Sequence, residues 1–515
     1  MRTQVLAAAF LLLFSWLNYC CQKPVDSPSV DSSTITVLYP WDDRVLGPNS
    51  DVDAKLLVFL PLFTTDEKGH MQGKLAEKWV HSEDYRSWTF YLRQDVNWHD
   101  GVLVTAHDIK FTLELISRPD IMFDGSWLGM QSITVHDDHS LTIIFEWPKD
   151  FLDDWLVYWP KHILENLDPK KFWKWDFWNQ PVGNGPYRCV RHVPKTLMEF
   201  EANFDYYDGK PEIERVFLKF GSASSLTELL SGNVDVLMYF NRSDIPKLAK
   251  SPQFRTYYHL PNFYWLSAVY WNMKDPIFSD PKVRRALTMA VDRVEILRVL
   301  NMPEDLKIFD VVFTGHQYRH DEIPPPLPHN QEAAVQLLDE AGWREGNDGV
   351  LKKDGQDFRF EIIIPTGDPG MGAYSEAATL IQAQFRRIGI QMDIQVLEGN
   401  LLRKRIMSGQ FQAAINSFFQ GANQLLQWFG EDSPLGYNNP RVIQLLKENT
   451  KTVDPEEVNR IFSEIMPLMA QDLPLTFLFP QIHSCVVHKR IKGLSSPYRA
   501  YPLAHMEHLW IEEEE

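Results

Sequence analysis

The sequence predicts an α/β protein of at least two lobes, with an α+β segment inserted near its start. Three observations carry this. Strand–helix–strand alternation occurs once over 215–240 and again, longer, over 358–419; such alternation marks parallel sheets flanked by helices. The stretch from Met71 to Trp147 has a different texture, with period-2 strands around a single helix. Finally, 515 residues exceed the ~250–300 that one hydrophobic core usually organises.

Taken in chain order, the first element is an export signal. Arg2 supplies a positive start and Val5 to Trp16 is almost unbroken apolar sequence, too short to span a ~30 Å hydrocarbon core. It ends in Asn18-Tyr19-Cys20-Cys21 before a polar Ser/Pro/Asp linker through residue 33. A cysteine there resembles a lipoprotein signal, with Cys20 (or Cys21) as the lipidated residue. Freely cleaved, soluble export is the other reading. In the insertion, Trp88 to Leu92 and Ser140 to Trp147 alternate as strands, and Thr105 to Ser117 reads as a helix. Arg215 to Phe220 is a strand, Ser222 to Leu230 a helix capped by Ser222 or Ser224, and Val234 to Phe240 a returning strand. The second alternation is strand Phe358–Ile364, helix Ser375–Ile388 stopped at Gly389, strand Gln391–Leu397, helix Leu401–Met407 and strand Phe411–Phe419. Right-handed crossovers lay those three strands side by side. The Pro-rich stretch 322–328 is a loop within that lobe.

Composition excludes several classes. Lys and Arg total 51 against 69 Asp and Glu, a net charge of −18. No basic cluster offsets it, so a phosphate backbone is repelled and nucleic acid is not the partner. With 44% hydrophobic and 23% charged residues the chain is ordinary globular protein, neither disordered nor fibrous. In its body only Cys189 and Cys485 remain, too few for a disulfide framework or a zinc site; one bridge or two buried thiols fit equally. Catalysis has no candidate: no nucleophile elbow and no placeable carboxylate pair appear. His136-Asp137-Asp138-His139 and His99 read as solvated or turn residues, so neither metal nor cofactor is expected. Gly183 and Gly185 beside Pro186 read as a tight turn that uses positive φ.

Several motifs in order resemble one family. They are Leu75-Ala76-Glu77-Lys78-Trp79, Trp88-Thr89-Phe90, Trp98-His99-Asp100-Gly101, Thr105-Ala106 with Asp108-Ile109 and Phe111, and Pro181-Val182-Gly183-Asn184-Gly185-Pro186-Tyr187. Further on stand Asn203 with Asp205-Tyr206-Tyr207, then Asn272, Phe278, Pro281, Val283-Arg284 and Asp292-Arg293, then Leu337-Leu338 with Ala341-Gly342-Trp343 and Asp348-Gly349. Together they are similar to the family 5 extracellular solute-binding proteins, receptors of oligopeptide, dipeptide and nickel ABC importers. The resemblance implies a type II periplasmic-binding-protein-like fold with an extra α+β domain in the first lobe. By that pattern lobe I comprises 34–53, 182–261 and 479–515, the insertion 54–181, and lobe II 262–478. It implies a monomeric receptor in the periplasm or cell envelope that closes on an oligopeptide or other small oligomeric solute and delivers it to a permease. Oligosaccharide is the main alternative ligand; nickel or haem is a lesser one, since no histidine falls between Asn416 and Trp428.

In open α/β sheets ligands bind beyond the carboxyl ends of the strands. That places Asn416, Ser417, Phe418, Phe419, Asn423 and Gln424 at a cleft, with Trp428 just beyond. Tyr264, Trp265 and Trp271 belong to a segment crossing the same opening, and Trp41 follows the first strand. Peptide receptors of the family carry an aspartate after the corresponding lobe II strand to meet the peptide's α-amino group. Here Phe418 to Gln424 has no acid, leaving Asp42, Asp43 and Glu398 as candidate partners for such a cation, or a ligand without one.

Overall fold

The computed structural model describes residues 33–39, 46, 52–65, 71–118, 121, 129–149, 156–221, 225–238, 240, 242–259, 266–302, 306, 308–311, 323–366, 373–418, 422–480, 482–494 and 502–512. The signal segment, Cys20 and Cys21 lie outside them.

The chain opens with β1 (Thr34–Tyr39) and α1 (Val52–Val58). A separate four-stranded antiparallel sheet follows, made of β2 (Ala76–His81), β3 (Ser87–Leu92), β4 (Met130–Asp137) and β5 (Ser140–Phe145) in the order β2-β3-β5-β4, with α2 (Ala106–Ile116) between β3 and β4. Thr105 caps α2: its N–H donates to Asp108 Oδ2 at 2.8 Å, closing the first turn. Then come β6 (Tyr187–Val193), β7 (Leu197–Ala202), β8 (Arg215–Phe220), α3 (Ser225–Leu230), β9 (Val236–Met238) and β10 (Phe254–His259).

The second lobe begins with β11 (Leu266–Trp271), α4 (Pro281–Ala290), α5 (Arg293–Val299) and α6 (Gln331–Glu340). It continues through β12 (Arg359–Pro365), α7 (Tyr374–Arg386), β13 (Gln391–Leu397), α8 (Gly399–Met407) and β14 (Ala413–Phe418). Next are α9 (Ala422–Phe429), α10 (Pro440–Asn449), α11 (Pro455–Asp472) and β15 (Leu475–Pro480), before β16 (His483–His488) returns to the first lobe. The expected neighbours do lie together, in the order β13-β12-β14, with β13 and β14 both parallel to β12.

Two large sheets result. The seven-stranded one runs β10-β16-β9-β1-β8-β7-β6 and the five-stranded one β13-β12-β14-β11-β15. Side chains alternate across the second: Val269, Trp271, Phe360 and Ile415 pack on one face, Ala268, Tyr270, Ile363 and Phe418 on the other. Both faces are therefore dry, as βαβ crossovers require. In lobe I the inward face of the seven-stranded sheet is continuous with the four-stranded sheet. Ile35, Val216 and Val236 belong to the same cluster as Phe90, Trp98 and Leu141, so the two sheets share one core.

No disulfide joins Cys189 to Cys485; both are buried thiols. Cys189 is on β6 and Cys485 on β16, five strand intervals apart in the sheet. At ~4.8 Å per interval that is ~24 Å, far beyond the ~7 Å limit between the Cα atoms of a bridge. Burial pushes the Cys189 thiol up to about 12, which keeps it protonated and inert.

Candidate functional site

The two crossings between lobes fix where an inter-lobe cleft opens. In lobe I, β1 runs parallel to β8 and β9, while β16 is antiparallel to both β9 and β10, so β10 shares the direction of β1. In lobe II, β11 is antiparallel to β14 and to β15. The chain leaves lobe I at the carboxyl end of β10 and re-enters from the carboxyl end of β15. The last rung of one hinge ladder is His259 opposite His483, and the first rung of the other is Leu266 opposite Pro480. The carboxyl edges of both sheets thus flank the same pair of connections. That is where doubly wound sheets place ligands.

At the lobe II edge, Asn416 and Ser417 are half-buried, as are Gln424 in the first turn of α9 and Trp428 further along it. Trp428 lies with its ring centroid 5.1 Å from that of Tyr270. The Tyr270 hydroxyl donates to the Ser417 carbonyl at 2.7 Å, which orients the end of β14. Asn423 stands beside Gln424 on α9. Trp41, Tyr264 and Phe419, like Asp42 and Asp43, lie outside the described residues. Glu398 is exposed and already caps α8, accepting from the Leu401 N–H at 3.1 Å. Backbone N–H groups of Asn400 and Leu401 hold its carboxyl below the usual range.

Two expected cleft residues are core residues instead. Trp271 is fully buried, packs on Phe278, and donates its Nε1–H to Thr476 Oγ1 at 3.0 Å. β11 starts at the carboxyl edge and runs away from it, so Trp271, five residues on, reaches the opposite edge opposite Ala413. Phe418 is also fully buried, against Tyr270, Phe429 and Phe477. One residue was missed. Ser267 faces Ser417 across β11–β14, and its buried hydroxyl has no hydrogen-bond partner among the described residues. A serine inside the run Leu266-Ser267-Ala268-Val269 was the available signal: an orphan hydroxyl costs stability unless something meets it.

The glycine-proline motif does not belong to the cleft. Neither Gly183 nor Gly185 has positive φ, so the positive-φ turn is corrected: these glycines permit close approach. The N–H groups of Asn184 and Gly185 both donate to the Val58 carbonyl, at 2.9 and 2.8 Å, and Asn184 Oδ1 accepts from the Leu60 N–H at 2.8 Å. His99 closes the same knot. Its Nδ1 accepts from the Gly183 N–H at 3.2 Å and its Nε2–H donates to the Gly185 carbonyl at 3.0 Å. Only the neutral ring can do both. Burial, with the Arg188 charge adding to it, pushes the His99 imidazole down to about 4. A folded value below the ordinary 6.5 means this contribution to stability is intact above pH 6.5 and is lost as pH falls towards 4. About 2–3 kcal/mol should disappear across that window. Urea midpoints taken from pH 7.5 to 4 should fall more steeply in the wild type than in His99→Gln; parallel slopes would refute the assignment.

The one cluster of metal-ligating type among the described residues is His505, Glu507 and His508. Lys74 Nζ sits 3.2 Å from Glu507 Oε1, and both side chains are largely buried. A fixed ammonium already serves that carboxylate, so the cluster works as a tether of the C-terminal segment.

The comparisons agree with the architecture. The model of the bacterial extracellular solute-binding proteins, family 5 (middle region), matches residues 70–432. The chain is 26% identical over 502 residues to the oligopeptide-binding protein AppA of Bacillus subtilis, covering 92% of this chain and 89% of the relative. Among solved structures, AppA from B. subtilis in complex with a nonapeptide has a TM-score of 0.73 at 24% identity, covering 93% of this chain and 99% of that one. NikZ from Campylobacter jejuni in complex with Ni(L-His) has a TM-score of 0.73 at 22% identity, covering 93% and 100%.

Proposed function

The chain belongs to the bacterial extracellular solute-binding proteins of family 5, and from that premise we propose that it is the receptor of an ABC importer which captures oligopeptides between its lobes. The observation that carries this is the pair of carboxyl edges flanking two hinge connections, supported by a relative of nearly equal length named as an oligopeptide-binding protein. Closure brings both edges onto the solute. Because the ligand touches both lobes only in the closed state, its differential affinity shifts the population towards closure. An extended peptide would be held by strand-like backbone hydrogen bonds, which tolerate varied side chains. Asn416, Asn423, Gln424 and Trp428 from lobe II, with Trp41, Tyr264 and Phe419 from the adjoining segments, are the proposed contacts. Ser267 is added to them as the hydroxyl in need of a partner.

Export follows from the N-terminal segment, and anchoring through Cys20 or Cys21 fits the cysteine at its end. The receptor works as a monomer, handing its solute to the permease subunits of the importer. No helix among the described residues is long and apolar enough to cross a membrane.

The acid-free segment Phe418–Gln424 favours one refinement. A peptide ammonium shut in a closed cleft needs a counter-charge, since desolvating an unpaired charge is expensive. Blocked or longer peptides, or a neutral oligosaccharide, suit amide and aromatic groups better. A thermal-shift screen against free peptides, blocked peptides, oligosaccharides and nickel tests the reading. A ligand at 100 times its Kd adds ~2.7 kcal/mol of stability. Shifts with sugars alone would replace peptide by oligosaccharide. Placing an acid back, as Asn423→Asp or Gln424→Asp, should tighten binding of a free-amine tetrapeptide by about tenfold, the worth of ~1.4 kcal/mol. No gain from either would remove these residues from the amino-terminal subsite.

A further inference from the structure

Ser267 is fully buried, and its hydroxyl has no hydrogen-bond partner among the described residues. It stands second in β11, at the carboxyl edge of the lobe II sheet, opposite Ser417 on β14. Strand alternation fixes which way both side chains point. Val269 and Ile415 pack on the face that carries Trp271 and Phe360. Ser267 and Ser417 are two residues from them along the same strands, so they point to that face too. It is the face that α7 covers, through Tyr374, Ala377 and Ile381.

The start of α7 comes to the same place. β12 and β13 are parallel, so the helix between them runs back from the carboxyl edge to the amino edge. Gln382, in its second half, donates to the Met392 carbonyl at 2.7 Å, at the amino end of β13. That leaves the first turn of α7 at the carboxyl edge. Burial pushes the Tyr270 phenol up, and the neighbouring Tyr374 adds to it. Tyr374 opens α7, while the Tyr270 hydroxyl rests on the Ser417 carbonyl at 2.7 Å. The first turn therefore lies beside the end of β14. The leading N–H groups of a helix have no partners within it, and they carry the positive end of its dipole. In α8, Glu398 takes up one such group, the Leu401 N–H. At the corresponding place in α7 stands Ala373, which has no side-chain acceptor. Negative charge is sparse around this turn: Phe418 to Gln424 has no acid, and Glu376, the acid of the turn itself, is exposed.

Resting on the receptor reading above, we propose that the first turn of α7 and the hydroxyls of Ser267 and Ser417 form a subsite for a carboxylate of the bound solute. The helix offers N–H donors along its axis and the sheet offers hydroxyl donors from below. A carboxylate accepts several such bonds at once, each about twice as strong as between neutral groups, and an anion also gains from the dipole. A neutral amide or hydroxyl uses fewer of the donors and gains nothing from the dipole. An ammonium is repelled by the dipole and finds no acid between Phe418 and Gln424. The lobe II edge thus lacks the acid that would hold an amino terminus and presents donors that hold a carboxylate. This narrows the solute to peptides that carry a carboxylate, at the C-terminus or on an acidic side chain, and disfavours a neutral oligosaccharide.

The test is calorimetric titration of the full chain with alanine-based N-acetyl peptides of four to nine residues. Each is made as the free acid, as the C-terminal amide, and as the amide carrying one glutamate. In the wild type a carboxylate form should bind about tenfold tighter than the all-alanine amide. Preference for the free acid identifies the C-terminus as the group held; preference for the glutamate amide identifies a side chain. Ser267→Ala and, separately, Ser417→Ala should each erase much of that preference and leave affinity for the all-alanine amide unchanged. Ligand-free Ser267→Ala should melt no lower than the wild type, because the change removes an unmet hydroxyl. Peptides that bind equally well as acid and amide overturn the subsite and leave the receptor reading standing. A preference that survives Ser267→Ala overturns it as well, and so does a lower melting temperature of that variant without ligand, since the hydroxyl would then serve the fold. A wild-type receptor that binds none of the peptides fells the receptor reading and the subsite with it.

Discussion

Replacing Gly183 by alanine is expected to cost about 4 kcal/mol or more and to leave little soluble protein. A Cβ there would lie 1.9 Å from the Val58 carbonyl oxygen and 2.8 Å from its carbon. These are backbone atoms at the end of α1, so no side-chain rotation relieves the clash. Pushing them away also breaks the two hydrogen bonds by which the Asn184 and Gly185 N–H groups share that carbonyl. Each loss leaves a buried donor unmet, at ~1–3 kcal/mol, on top of ~1–3 kcal/mol for overpacking. Gly101 is the internal control. It has φ of 90° with nothing within 4 Å of its would-be Cβ, so Gly101→Ala meets only backbone strain, about 1–2 kcal/mol. Urea midpoints and soluble yield of the two variants decide the matter. Equal losses would mean that close approach to Val58 does not matter.

That contrast shows what the sequence could and could not reveal. Both glycines stand beside turn-forming neighbours, Asp100 in one case and Asn184 in the other. Local sequence reports the tendency to turn. It does not report that the backbone of α1 passes within contact distance from 125 residues away. Elements defined by local period were readable to within a residue or two: β8 and β13 have the bounds that alternation assigns, and α2 is capped at Thr105 and Ser117 as expected.

Side-chain direction was readable only where one face of a strand is wet. In β3, alternating burial gives away the inward Trp88, Phe90 and Leu92. In β11 all six residues are buried, so the sequence carries no periodic signal to say which way Trp271 points or which end of the strand meets the cleft. The same limit applies to Phe418 at the end of β14. The crossing strands β15 and β16 show the problem at larger scale. They are consecutive in sequence, yet one completes lobe II and the other inserts beside β9 in lobe I. Only a non-local pairing decides that, and pairing partners are not written in either strand.

Breaking the ion pair between Arg293 and Asp310 should be the second large effect, and here the expected result depends on which atoms remain. Both side chains are nearly inaccessible, at 5% and 4%. Arg293 spends its remaining donors on the Leu327 carbonyl at 2.7 Å and the Phe477 carbonyl at 3.3 Å, and Asp310 Oδ2 accepts from the Leu327 N–H. The pair thus fastens the Pro-rich stretch and the segment around Asp310 to β15, the strand that leads into the hinge. Asp310→Ala leaves a buried guanidinium without its counter-charge, at a cost of ~3–5 kcal/mol. Arg293→Met leaves the carboxylate in the same position and should cost a similar amount. Arg293→Met/Asp310→Leu removes both charges and with them the desolvation that opposed folding, so it should cost clearly less than the sum of the single changes. The measurement is a double-mutant cycle on urea unfolding of the full chain. Strict additivity would mean the two charges do not meet in the folded protein. A favourable coupling of several kcal/mol, accompanied by unchanged peptide affinity in the double variant, would place the pair as a brace behind the hinge whose polarity the receptor does not need for binding.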